Sequence, residues 1–138
     1  MPRYLLDKSA LARMRHASVR EVLAPLIERG EVATCPIIEL EVLYSARTRD
    51  EYRSERSQRV AAYPLIPLTE KASQRALEVQ AMLAERSNHR GASLPDLLIA
   101  ACAEEHGLTV LHYDADYELI ASATGQPVEW VVARESLS

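Results

Sequence analysis

Short apolar runs alternate with longer amphipathic stretches along the chain. Arg3–Leu6, Val32–Cys35, Leu65–Leu68, Thr109–His112 and Val128–Val132 are brief, β-branched or aliphatic, and bounded by turn or helix signals, which predicts strands. The stretches between them carry helix signals. Residues 18–29 open with Ser18-Val19-Arg20-Glu21, the pattern of a capping box, and set Val19, Val22, Leu23, Leu26 and Ile27 on one face before Gly30, with Pro25 a potential kink. Pro36 suits the first turn of a helix over 36–46, and residues 48–62 predict a polar, Arg-rich helix. Thr69 opens a helix over 69–86 with an Ala, Leu and Met face, and residues 95–106 form another that stops at Gly107. Strands separated by helices imply right-handed crossovers. The expected class is therefore α/β, a three-layer α/β/α sandwich on a mainly parallel central sheet of four to five strands.

Composition then narrows the class. A chain of 138 residues suits one domain, expected to span 1–138, which can bury a core without disulfides or a structural metal. With 48% hydrophobic and 26% charged residues and no repeat or low-complexity tract, it has the make-up of an ordinary globular protein. Cys35 and Cys102 lack Cys-x-x-Cys spacing and sit among apolar residues, so they read as buried thiols in a reducing compartment. No apolar run approaches the roughly 18 residues of a membrane span, and the N-terminus opens on a strand rather than a leader, so no membrane association and a cytoplasmic location are expected. The net charge of -4 hides an asymmetry: residues 1–90 carry 15 Lys or Arg against 12 acids, whereas residues 91–138 carry one Arg against 8 acids. An acidic pocket rimmed by arginines is compatible with an anionic substrate once bound cations invert the pocket's sign.

The acids carry the candidate chemistry. Asp7 closes the run Tyr4-Leu5-Leu6, Asp96 opens a helix, and Asp114 and Asp116 follow the strand ending near His112. In open parallel sheets ligands bind beyond the carboxyl ends of the strands, which is where Asp7 and Asp114 fall. Each Asp also has a plainer role available, since Asp between a strand and a helix is a favoured N-cap and Asp96 can close a capping box with Ser93. Glu41 is different. At about 100° per residue Ile37, Leu40 and Tyr44 lie together with Ile38 flanking, Glu41 falls between Ile37 and Ile38, and Glu39 projects to the other side. Glu41 is therefore expected to be partly buried and Glu39 solvated. A gathered set of carboxylates would repel unless a hard divalent cation neutralised it, and Mg2+ or Mn2+ is the economical resolution. A softer metal is disfavoured, because His16, His89, His106 and His112 show no His-x-x-x-His pairing.

Four segments resemble the PIN-domain ribonucleases, and more closely the VapC-type toxins of bacterial toxin–antitoxin pairs: Tyr4 to Leu11, Glu41 to Arg47, Pro95 to Ala101, and His112 to Ala121. The resemblance implies that Asp7, Glu41, Asp96 and Asp114 form an acidic quartet, that Asp116 is an accessory metal carboxylate, and that Ser9 orients the first Asp or a metal-bound water. It further implies Mg2+- or Mn2+-dependent hydrolysis of single-stranded or loop RNA, a cognate VapB-type antitoxin that blocks the pocket, and a homodimer. Ser45, His112 and Lys8 depart from residues common in the family, without loss of an acidic ligand. Arg47, Arg49 and Arg53 are candidate RNA contacts, with a solvated helix face as the alternative, and Val22, Leu26 and Arg56 are candidate antitoxin contacts, with plain core as the alternative for the apolar pair. Two other classes compete. A phospho-accepting receiver domain needs a Lys near its last strand, whereas only Lys8 and Lys71 are present, and a non-catalytic RNA- or partner-binding domain is favoured by loss of an acid, yet all four remain.

Overall fold

The computed structural model describes residues 2–137. Four parallel strands, β1 (Tyr4–Leu6), β2 (Val32–Ala33), β3 (Thr109–His112) and β4 (Val128–Trp130), form one sheet in the order β2-β1-β3-β4. Seven helices connect or flank them among the described residues: α1 (Lys8–Leu11), α2 (Ala17–Glu28), α3 (Pro36–Tyr44), α4 (Arg49–Ala62), α5 (Glu70–Ala84), α6 (Leu94–Glu105) and α7 (Asp116–Thr124). Leu5 aligns with Ala33 on one side and Val110 on the other, and Val110 with Val128, so the strands are in register where their side chains alternate.

That alternation builds three layers. Leu5, Ala33 and Val110 point into a core closed by Ile38 and Val42 of α3, Ala76, Val79 and Leu83 of α5, Ile99 and Cys102 of α6, and Tyr117 and Ile120 of α7. Their neighbours Leu6, Val32 and Leu111 face the opposite way, onto Ala10 of α1 and Val19, Leu23 and Leu26 of α2. A period of two in each strand thus feeds both faces, as a buried parallel sheet requires.

Several expectations change. Leu65–Leu68 forms no strand; Leu65 makes a single parallel bridge to Thr34, and Pro64 and Pro67 on either side have no N–H to extend a ladder. Ser18 does not cap α2, which starts one residue earlier at Ala17, with His16 in the cap position and no side-chain cap bond. Pro25 lies inside α2 and Gly30 ends it at φ +68°. The short α1 and the whole of α7 lie outside the helices expected from the pattern.

The face of α3 also differs. Glu39 is not solvated: the Arg59 guanidinium donates to both its oxygens at 2.6 to 3.0 Å, and the Thr34 hydroxyl donates at 2.6 Å. Arg59 is only 6% exposed and stacks over the Tyr63 ring at 4.6 Å, so this pair pins α4 to α3. The face that turns inward carries Ile38 and Val42, leaving Leu40 and Tyr44 66% and 91% exposed.

Candidate active site

All of the predicted acids except Glu41 stand at the carboxyl ends of β1 and β3 or at the start of the adjoining helices α6 and α7. The chain leaves β1 at Leu6, and the Asp7 N–H still donates to Leu111 O at 3.0 Å, so Asp7 is fixed at the lip of the sheet. Its Oδ2 accepts from the Ser9 N–H at 2.9 Å, the helix-capping role open to it from sequence. Capping uses one carboxylate oxygen. The other, Oδ1, accepts from the Tyr117 hydroxyl at 2.7 Å, and Asp96 Oδ1 lies 3.1 Å from the same hydroxyl. Asp7 and Asp96, from different elements, therefore meet through one buried phenol, which itself stands 110 residues beyond Asp7.

The amino end of α6 presents Asp96. Ser93 Oγ accepts from the Asp96 N–H at 3.2 Å, which is half of a capping box; the other half is missing, because the Ser93 N–H donates to Asp116 Oδ2 at 3.0 Å instead. Asp96 thereby keeps its carboxylate for the pocket. Asp114 Oδ1 accepts from the Asp116 N–H at 2.9 Å, and the Asp114 N–H donates to His112 Nδ1 at 3.1 Å. One oxygen each from Asp96, Asp114 and Asp116 lie within 4.8 Å of one another. Glu41 is half-buried on α3, and among the described residues it has no hydrogen-bond partner.

The electrostatics record this crowding. Burial, then the charges of Asp7 and Asp114, push the Asp96 carboxyl up to about 8. Burial raises Glu41 above the usual carboxylate range, followed by the charge of Asp7, while the ammonium of exposed Lys8 pulls it back. Burial holds the His112 imidazole below its ordinary range, against the charges of Asp7 and Asp114. It is fully buried, its Nδ1 accepts from Asp114, and its Nε2 has no hydrogen-bond partner; the ring lies 5.0 Å from that of Tyr117 and 4.9 Å from that of Trp130.

A cluster that cannot hold its full negative charge near neutral pH, with oxygen as every donor and no thiolate or imidazole among them, fits a hard divalent cation. Asp96, Asp114 and Asp116 could hold it directly, with Asp7 and Glu41 beside them.

The remaining predicted residues separate. The Ser9 hydroxyl accepts from the Tyr113 N–H at 2.9 Å and so ties α1 to the turn before Asp114, while its backbone orients Asp7. Arg47, Arg49, Arg53 and Arg56 are exposed, and the last three line a shallow basic depression on α4 with Tyr52. Arg56 also borders a groove of about 530 Å³ between α3 and α4, lined by Leu40, Leu43, Tyr52, Val60 and Tyr63. Leu26 is 8% exposed and belongs to the core under α2, whereas Val22 reaches solvent; neither borders the α3–α4 groove. Sequence reasoning missed Tyr117 and the roles of His112 and Ser93. Tyr117 stands three residues before Ile120, a spacing that signals core rather than chemistry.

The chain as a whole is similar to known proteins. The PIN domain family model matches residues 4–123. Ribonuclease VapC51 of Mycobacterium tuberculosis is 50% identical over 130 residues, covering 94% of this chain and 93% of that protein. Ribonuclease VapC21 of the same species is 48% identical over 131 residues, covering 95% of each. Among solved structures, the DNA-bound VapBC of Salmonella typhimurium superposes with a TM-score of 0.78 at 16% identity, covering 96% of this chain and 100% of that one, a likeness of fold. The chain belongs to the PIN-domain family and, at this identity over nearly its full length, stands among the VapC ribonucleases.

Proposed function

We propose that the chain is a divalent-cation-dependent endoribonuclease that hydrolyses RNA phosphodiester bonds and is held in check by a VapB-type antitoxin. The observation that carries this reading is the convergence of Asp7, Asp96, Asp114 and Asp116 from three separate segments of the sequence onto one end of the sheet. The curated relatives at 48 to 50% identity are named ribonucleases, which supports the reaction class. A bound Mg2+ or Mn2+ supplies charge neutralisation and Lewis-acid activation at the phosphate.

The chain's own residues do the rest. Asp96, Asp114 and Asp116 offer the oxygen donors, and the hydrogen bonds from Ser9, Ser93 and Tyr117 keep the carboxylates from swinging apart. Glu41 is unanchored and its carboxyl is raised, which suits it to take a proton from the attacking water at its free oxygens. Lys8 beside Glu41, with Arg47, Arg49 and Arg53 on or next to α4, offers phosphate contacts for a single strand. No side-chain nucleophile is needed.

Surface chemistry supports a place for the antitoxin. The α3–α4 groove combines exposed Leu40, Tyr52 and Val60 with Arg56, and suits an acidic segment with an apolar face; Val22 on α2 is a separate exposed patch. Solved proteins of this fold include VapBC complexes, which supports a protein partner of that type. The two buried, unpaired thiols agree with a cytoplasmic setting, and no helix among the described residues is long and apolar enough to cross a membrane. Homodimerisation is part of the same reading and is checked by light scattering of the purified chain.

The test is direct. Purified protein is incubated with a mixed RNA pool in Mg2+ or in EDTA, beside an Asp7→Asn variant. Cleavage that requires the cation and is lost in the variant is expected. Undiminished cleavage in EDTA or by the variant would reject the mechanism, and binding without cleavage would point instead to a non-catalytic RNA-binding domain.

A further inference from the structure

Tyr117 is fully buried, the largest such side chain in the core, and its hydroxyl touches no backbone acceptor; its neighbours within hydrogen-bond distance are Asp7 Oδ1 at 2.7 Å and Asp96 Oδ1 at 3.1 Å. A Phe would fill the same volume with no polar atom to satisfy. Burying a phenol here is favourable because its hydroxyl has carboxylate partners. The hydroxyl's single proton lies towards Asp7 Oδ1, at the shorter distance, with Asp96 Oδ1 still in reach of the same oxygen, so the phenol links the two acids without adding a charge that would compete with a cation.

The ring cannot slide away from this position. One face meets His112 at 5.0 Å between ring centres, His112 is backed by Trp130 at 4.9 Å, and His112 Nδ1 takes the Asp114 N–H. Asp7 is also held at its second oxygen by the Ser9 N–H, so its carboxylate has both ends fixed. The two acids bridged by Tyr117 come from different elements, the end of β1 and the first turn of α6.

We propose that Tyr117 is a positioning residue whose shared hydroxyl fixes Asp7 relative to Asp96 and thereby sets the affinity of the acidic cluster for a divalent cation. The inference rests on the cation-dependent reading above. Groups that orient metal-holding carboxylates change affinity by about 10- to 100-fold when removed.

The experiment measures Mn2+ binding to the RNA-free protein by calorimetry or by the electron-spin signal of free Mn2+, for wild type, Tyr117→Phe and Tyr117→Leu. Melting temperature is recorded on the same samples, and RNA cleavage is titrated with Mg2+. Tyr117→Phe keeps the ring and should fold with a melting temperature near that of wild type, yet bind Mn2+ about tenfold more weakly and need correspondingly more Mg2+ for half-maximal cleavage. Tyr117→Leu loses packing and should melt lower, with the same loss of affinity as the Phe variant. Affinity that follows melting temperature rather than the hydroxyl, or Mn2+ binding by Tyr117→Phe within twofold of wild type, overturns the proposal. Failure of the wild type itself to bind Mn2+ overturns instead the reading on which it rests.

Discussion

Replacing Asp96 by Asn should stabilise the cation-free protein while removing its response to Mn2+. In the folded chain burial, then the charges of Asp7 and Asp114, hold the Asp96 carboxyl up to about 8, whereas an unfolded Asp titrates near 3.9. Between those values the native state retains a proton that the unfolded chain has released. The contribution is therefore fully present below about pH 4 and is lost as pH rises towards 8, at no more than about 1.4 kcal/mol per pH unit. From pH 4 to pH 7 the ceiling is about 4 kcal/mol, and roughly half of that is a reasonable expectation because the slope is shared among interacting carboxyls. Asn has no proton to lose. In EDTA, the melting temperature of Asp96→Asn should exceed that of wild type by an amount that grows from pH 5 to pH 8, at about 3 to 5 °C per kcal/mol. Taking the difference cancels groups with the opposite dependence, such as Glu31, which Arg29 and Arg3 hold below the usual carboxylate range. Added Mn2+ should stabilise the wild type increasingly above pH 6 and leave the variant unmoved. A difference that stays constant from pH 5 to pH 8 would refute the reasoning, since it would mean that the carboxyl is ionised throughout.

Other outcomes follow from the same geometry. Glu39→Ala strands the 6%-exposed Arg59 guanidinium, and urea denaturation should show a loss of about 3 to 5 kcal/mol, whereas Glu39→Gln should lose less. Asp114→Asn should retain the far-ultraviolet circular dichroism of wild type and cleave RNA at least about 100-fold more slowly, measured by single-turnover gel assay. Reversing Arg49 and Arg53 together to Glu should raise KM for RNA, leave kcat nearly unchanged, and flatten the dependence of binding on salt. Leu83→Ala, at a fully buried position of α5, should cost about 2 to 5 kcal/mol without altering Mn2+ affinity.

What could be read from sequence divides along physical lines. Elements with a dominant period were legible: α4, α5 and α6 start at their Thr48, Thr69 and Ser93 caps, and β3 has the bounds its aliphatic run suggests. The face of α3 was not, because Pro-Ile-Ile-Glu-Leu-Glu-Val-Leu-Tyr is apolar nearly all round and helical spacing alone cannot choose a side. A contact 20 residues away made the choice, when Arg59 took Glu39 inward and left Leu40 and Tyr44 outside. Prolines held Leu65–Leu68, whose hydrophobicity suited a strand, to a single bridge, because Pro64 and Pro67 have no N–H with which to extend a ladder. At the site, the acids declared themselves because a carboxylate following an apolar run is conspicuous. Their supports did not. Tyr117, His112 and the Ser93 N–H act on side chains 21 to 110 residues distant or through backbone geometry, and nothing local distinguishes them from ordinary core and cap residues.

Diffraction from crystals grown with Mn2+, recorded at a wavelength where manganese scatters anomalously, tests most directly whether the gathered carboxylates form a cation site. The expected result is an anomalous peak in contact with oxygens of Asp96, Asp114 and Asp116, at about 2.1 to 2.3 Å, and absent from crystals of Asp96→Asn. Crystals of the wild type soaked to saturation and showing no peak among these residues, or a peak held elsewhere on the surface, would contradict it.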